Sequence, residues 1–225
     1  MKFRKLHPWR VGYARARQIQ EELCSRLILR APRKKFRLVA GTDISYSKKD
    51  DRFFGAVIVL SLPDLEEVER ATAIGRVEFP YIPGLLSFRE APILLKAFEQ
   101  LRTIPDLVLF DGQGTAHPRG LGLASHLGLV LDIPSIGCAK SRLCGEHGEV
   151  GAEAGSHAPL KLDGKIIGSV VRTRDHVNPI FVSPGHRMGF RSAVTWTLRC
   201  CAGYRIPEPT RRAHHLVNEL RMKTP

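Results

Sequence analysis

Three acidic residues stand where sequence physics expects apolar ones. Asp43 lies inside LVAGTDISY, and its period-two companions Val39, Gly41 and Ser45 do not form a charged solvent face. Asp111 follows Leu107–Phe110, a short and wholly apolar run of the kind that makes a buried central strand. The carboxyl end of such a strand is where open α/β sheets place their ligands. Glu90 falls on the same helical face as Leu86, Ile93, Leu94 and Ala97 in a helix predicted over 85–101. A carboxylate on an apolar surface must be paired, protonated or turned toward a cation, and carboxylates brought close together repel. Hard oxygen ligands of this kind suit Mg²⁺, with Mn²⁺ as a substitute. For Glu90 a plainer alternative stands beside this one: the helix begins at Pro92, and Glu90 is an acidic residue favoured near a helix N-terminus.

Other reactive side chains are more ambiguous. His214 and His215 sit on a predicted C-terminal helix, where adjacent residues point about 100° apart, so at most one faces a common site. Lys140 follows the strand-like SIGCA, where it can hold a phosphate or counter the carboxylates, or simply lie in solvent. Cys138, Cys144, His147 and His157 do not have the spacing of a zinc site. The five cysteines form no CxxC pair, and their odd number argues against a secreted disulfide framework. A reducing, cytoplasmic setting is expected.

These residues need a scaffold. Residues 36–46, 53–62 and 68–77 read as strands joined by short polar connections, which predicts an antiparallel meander. Strand 107–110, a helix over about 121–131 and strand 135–139 then signal parallel pairing through crossovers. Further strands are expected at 165–172 and 179–182, and helices over about 191–201 and 209–222. Residues 145–164 read as a surface excursion. The order fits an α/β fold, a ribonuclease H-like mixed sheet flanked by helices, and the length suits a single domain over 1–225.

The formal net charge is +13, and much of the excess is at the front. Residues 1–38 contain twelve Lys and Arg against Glu21 and Glu22, so a basic N-terminal helical segment is expected over about 1–35. A surface of this sign favours a polyanion through counterion release. No apolar run approaches the roughly 20 residues that span a bilayer, so no membrane partner is expected.

The sequence resembles the endonuclease V (deoxyinosine 3′ endonuclease) family. The resemblance runs through VAGTDISY at 39–46, FPYIPGLLSFRE at 79–90 and FDGQGTAHPRGLGLASHLGL at 110–129. It continues in IPSIGCAKSRL at 133–143, FVSPGH at 181–186 and RIPEPTRRAH at 205–214. It lapses around 145–164.

That resemblance implies a role for each candidate. Asp43 and Asp111 take the positions of metal-binding aspartates, Glu90 that of a third acidic site residue, and His214 that of a catalytic histidine. Lys140 matches the lysine of the AKSRL segment. Pro80, Tyr81, Ile82 and Pro83 correspond to a wedge that enters the strand at the lesion. Gly84, Gly112 and His117 fall in the segments expected to bind substrate. The implied reaction is metal-dependent hydrolysis of the second phosphodiester bond 3′ to an inosine, leaving a 3′-hydroxyl and a 5′-phosphate. DNA containing deoxyinosine is the expected partner, with inosine RNA or a broader ribonuclease H-like substrate range as alternatives. A monomer is expected.

Overall fold

The computed structural model describes residues 1–47 and 50–224. Eight strands form one sheet: β1 (Leu38–Tyr46), β2 (Arg52–Ser61), β3 (Glu67–Arg76), β4 (Leu107–Phe110), β5 (Ser135–Ala139), β6 (His157–Leu162), β7 (Lys165–Val171) and β8 (Ile180–Pro184). Their order across the sheet is β3-β2-β1-β4-β5-β8-β7-β6. β3, β2 and β1 make the expected antiparallel meander. β1 pairs parallel with β4, and β4 with β5. The far side returns to antiparallel pairing. The helices are α1 (Tyr13–Cys24), α2 (Leu86–Gln100), α3 (Leu123–Leu131), α4 (Phe190–Arg199) and α5 (Glu208–Lys223).

Alternation along the central strands sorts the core into two layers. Ala40, Val57, Val59, Val108 and Phe110 pack with Ala91, Leu94 and Phe98 of α2 and with Leu127 and Val130 of α3. Val39, Ile58, Leu60, Leu107 and Leu109 face the other way, packing with Ala193 and Val194 of α4. Each large side chain fully buried this way contributes about 1.5–3 kcal/mol. A sheet covered on both faces explains why β4 is apolar from end to end.

Three expectations are corrected. α2 starts at Leu86 and runs through Pro92, so Glu90 lies beyond the first turn, where the helix dipole no longer favours it. The ring of Pro92 removes one helical hydrogen bond, and the burial of Ala91, Ile93 and Leu94 around it outweighs that loss. Within the predicted excursion 145–164, His157–Leu162 pairs as β6 with β7. The basic N-terminal segment is helical only over Tyr13–Cys24. Before it, residues 1–12 form an irregular strap whose Met1 ammonium donates to the carbonyls of Phe98, Glu99 and Leu101 at the end of α2. No helix among the described residues is long and apolar enough to cross a membrane.

The contact that positions the site is the crossing of α5 over β1. A Cβ placed on Gly41 would sit 2.0 Å from the carbonyl carbon of Pro209 and 2.4 Å from the amide nitrogen of Thr210. Only a residue without a side chain permits this approach. Gly41→Ala is therefore expected to destabilise the protein by about 1–3 kcal/mol through overpacking. Gly148→Ala, at an exposed position where an added Cβ meets nothing within 4 Å, should change stability by less than about 0.5 kcal/mol. Denaturant melts of the two variants side by side check this, and equal midpoints would show that the helix does not need the glycine.

Candidate active site

Thr42 of β1 is paired with Phe110 of β4, so the next residue on each chain, Asp43 and Asp111, lies level at the carboxyl end of a parallel pair. Neighbouring strands run about 4.8 Å apart. By alternation both aspartates continue the row of Val39, Leu107 and Leu109, on the face covered by α4 and α5. Each has a different partner. Asp43 Oδ2 lies 2.6 Å from His214 Nδ1 on α5, about one turn beyond the close approach at Gly41. Asp111 Oδ2 accepts from Lys140 Nζ at 2.5 Å, just past β5. His215 instead meets Arg211, so α5 presents only one of its two histidines to the site.

The electrostatics are those of crowded negative charge. Burial and then the Asp111 carboxylate push Asp43 up to about 6, although the His214 hydrogen bond and Lys140 oppose the shift. Glu90 keeps some solvent contact but is walled in by protein. Its burial, followed by repulsion from Asp43 and Asp111, raises it to about 8 against the weaker pull of Arg89. The structure thus brings all three predicted carboxylates into one electrostatic unit. No three His, Cys, Asp or Glu side chains among the described residues already stand at metal-ligating distance. The two aspartates are held instead by His214 and Lys140. This donor set nevertheless fits a hard divalent cation: two carboxylates with an excess of negative charge match an ion that completes its shell with water and phosphate oxygens.

Beside the carboxylates lies a cavity of about 360 Å³. Its walls include Tyr81, Ile82, Pro83, Gly84, Asp111, Gly112, His117 and Lys140, so nearly all the predicted substrate residues meet there. Pro80 does not; it borders a separate cleft. Tyr81 is 69% exposed, which rules out an inward-packed structural tyrosine.

The wall at Gly84 is held from behind. With φ of +77°, Gly84 adopts a left-handed conformation suited to glycine. Its carbonyl accepts from Gln20 Nε2 at 3.0 Å, His117 Nε2 at 2.9 Å and Arg119 Nη2 at 2.6 Å. His117 Nδ1 in turn accepts the Arg119 amide at 3.1 Å, so the ring is neutral with its proton on Nε2. Burial holds its pKa down to about 4. His117 therefore serves the pocket from the second layer as well as lining it.

Sequence reasoning missed several residues. Gln20 is a buried glutamine on α1, Arg119 completes the clamp on Gly84, and Gln113 lines the cavity floor. Gln113 Nε2 donates to the Ser141 carbonyl at 3.0 Å, while its Oε1 is buried without a hydrogen-bond partner. Arg89 donates to the Phe79 carbonyl at 2.8 Å and stacks over Phe53, bracing the proline-flanked loop from below. Gln113 and Arg89 lie within the stretches that carry the resemblance, and that was their available signal. Gln20 had none.

Comparison with known proteins agrees with the resemblance. A family profile described as Endonuclease V matches residues 21–215. An Endonuclease V from Gloeobacter violaceus is 49% identical over 219 residues, covering 96% of this chain and 89% of that protein. The crystal structure of Endonuclease V from Streptomyces avermitilis superposes with a TM-score of 0.90 at 42% identity, covering 96% of this chain and 95% of its own. Endonuclease V from Ciona intestinalis, solved with a 24mer DNA containing an inosine followed by a ribo-adenosine, gives a TM-score of 0.82 at 27% identity, covering 94% and 98%.

The raised carboxylates have a measurable cost. A carboxyl group whose pKa is higher in the folded state than in the unfolded chain stabilises the fold at low pH and loses that contribution as pH rises through the folded value. For Asp43 the loss runs up through about 6 and for Glu90 through about 8. Below about pH 6.5 the buried histidines, His117 held down to about 4 among them, gain stability as pH rises and oppose this loss, so in EDTA the melting temperature should fall between about pH 6.5 and pH 8. Asp43→Asn should flatten the fall and melt higher at pH 8, by about 2–4 °C for each kcal/mol relieved. A variant melting below the parent at pH 8 would contradict the crowding.

Proposed function

The chain belongs to the endonuclease V family, and from that premise we propose that it cuts nucleic acid beside deaminated adenine, hydrolysing the second phosphodiester bond 3′ to an inosine in DNA as a repair step. The observation that supports this most directly is the meeting of Asp43 and Asp111 on neighbouring strands at the rim of a base-sized cavity. Asp43 and Asp111 would hold a divalent cation, Mg²⁺ or Mn²⁺ as its substitute, which when bound supplies Lewis acidity to the scissile phosphate.

The remaining side chains divide the work. His214 donates from Nδ1 to Asp43, which leaves Nε2 as the basic nitrogen. At 49% side-chain exposure it can take a proton from an attacking water. Glu90, with its elevated pKa, can orient that water or share its proton. Lys140, paired with Asp111, can offset the charge that builds up on the pentacoordinate phosphorus. The products are a 3′-hydroxyl and a 5′-phosphate.

Recognition rests on the cavity. Hypoxanthine presents an O6 acceptor and an N1–H donor, the reverse of the corresponding edge of adenine. The Gly84 carbonyl is already saturated by three donors, so the acceptor for N1–H must come from elsewhere. The unpartnered Gln113 Oε1 and the backbone around Gly112 are the available choices. Entry of the base into the cavity leaves a gap in the stack. Tyr81, held rigid between Pro80 and Pro83, can fill it and recover about 1–3 kcal/mol of stacking.

Cleavage of matched oligonucleotides carrying inosine, uracil, an abasic site or no lesion, as DNA and as RNA and with and without Mg²⁺, tests the proposal. Preference for inosine and dependence on the metal are expected, and equal cutting of undamaged duplex would refute it. Asp43→Ala and Asp111→Ala should each lose cleavage while retaining measurable lesion binding, because phosphate and pocket contacts remain. Near-parental turnover in either variant would overturn the metal assignment. Tyr81→Ala should weaken lesion affinity about tenfold, the equivalent of one stacked base, and an unchanged Kd would remove Tyr81 from recognition.

A further inference from the structure

The loop from Phe79 to Gly84 borders two cavities, its end at Tyr81–Gly84 lining one and its start at Phe79 and Pro80 the other. The first is the pocket already described. The other is a cleft of about 410 Å³ with Trp9, Phe79, Pro80, Phe88 and Pro92 among its walls. Its rim carries Arg10, Arg76 and Lys96 against one acidic residue, Glu78. Arg10 neutralises Glu78 through an exposed ion pair at 2.6 Å. Arg76 and Lys96 are exposed and take part in none of the ion pairs among the described residues. The cleft therefore has an aromatic and proline floor under a net positive rim. The floor is fixed in place: Phe88 is buried and contacts both Trp9 and Phe79, and Trp9 also packs on His7 and His126. A positive rim over fixed aromatic rings is the recurring design for unpaired nucleotides, with cations tracking the phosphates and rings stacking the base.

An inosine that enters the first pocket leaves its opposite nucleotide unpaired, and Tyr81 blocks the space between the strands. The geometry points to the second cleft as the site for that nucleotide: the orphaned base of the undamaged strand stacks on Trp9 and Pro80 while Arg76 and Lys96 hold its phosphates. This inference rests on the inosine reading and extends it to the complementary strand. It makes a duplex substrate different from a single-stranded one at residues remote from the carboxylates.

The test uses the double variant Arg76→Ala/Lys96→Ala, whose positions are exposed and outside the catalytic cluster. Binding in EDTA is measured by fluorescence anisotropy on one inosine oligonucleotide, single-stranded and annealed to its complement. The variant should lose about tenfold in duplex affinity while binding the single strand as the parent does. Equal losses on both substrates would place the cations on the lesion strand, and no loss on either would empty the cleft; both outcomes overturn the proposal. As a second readout, 2-aminopurine opposite the inosine should change its fluorescence on binding, and that change should be lost with Trp9→Leu. A signal that survives this substitution counts against stacking in the cleft. Loss of inosine preference by the unmodified protein would refute the functional reading itself, so the two failures are distinguishable.

Discussion

Everything at the site follows from holding negative charges together where water cannot fully screen them. Asp43 and Asp111 are level with each other because β1 and β4 run parallel in register. Parallel strands of this kind must be covered on both faces, which is also what dries the site. The fold then supplies one positive or proton-bearing group per aspartate, His214 from α5 and Lys140 from beyond β5. Without a cation the arrangement is only partly compensated, as the elevated Asp43 and Glu90 show. Stability has been spent to hold this uncompensated negative charge in one place.

The recognition side is built on the opposite principle. Where the carboxylates are under-compensated, the loop at Gly84 is over-determined, with its carbonyl bound by three donors from two parts of the chain, α1 and the loop before α3. His117 is kept neutral so that it can donate from Nε2. Arg89 fixes the other end of the loop at Phe79. These contacts brace the loop at both ends while leaving Tyr81 exposed between them.

Much of this was legible in the sequence because it violates simple patterning. A charged residue inside β1, another ending β4 and a third on the apolar stripe of α2 all conflict with burial, and conflicts of that sort mark function. β4 and β5 were readable to the residue, since a short apolar run between turn residues has few alternatives. β6 was hidden because Gly155, His157 and Pro159 weaken any strand signal, and its pairing with β7 supplies what the local sequence lacks. The helix expected over 85–101 runs through Pro92, because α2 is stabilised by the core it buries more than by its own propensity. The Gly84 clamp was invisible for a different reason: Gln20, His117 and Arg119 are far from it along the chain, and nothing in their local context announces a shared target.

That clamp also orders events in time. Gln20 donates to the carbonyls of Gly84 and Leu121, which follow it by 64 and 101 residues. As the chain leaves the ribosome, α1 emerges with an apolar face and an unsatisfied amide, and neither finds its partner until α2 and the loop before α3 have been made. Long-range closures of this kind are slow steps. The wall of the cavity at Gly84 is thus closed by the return of the first helix across a long stretch of later chain, so its shape is a product of tertiary structure and not of the local sequence of the loop.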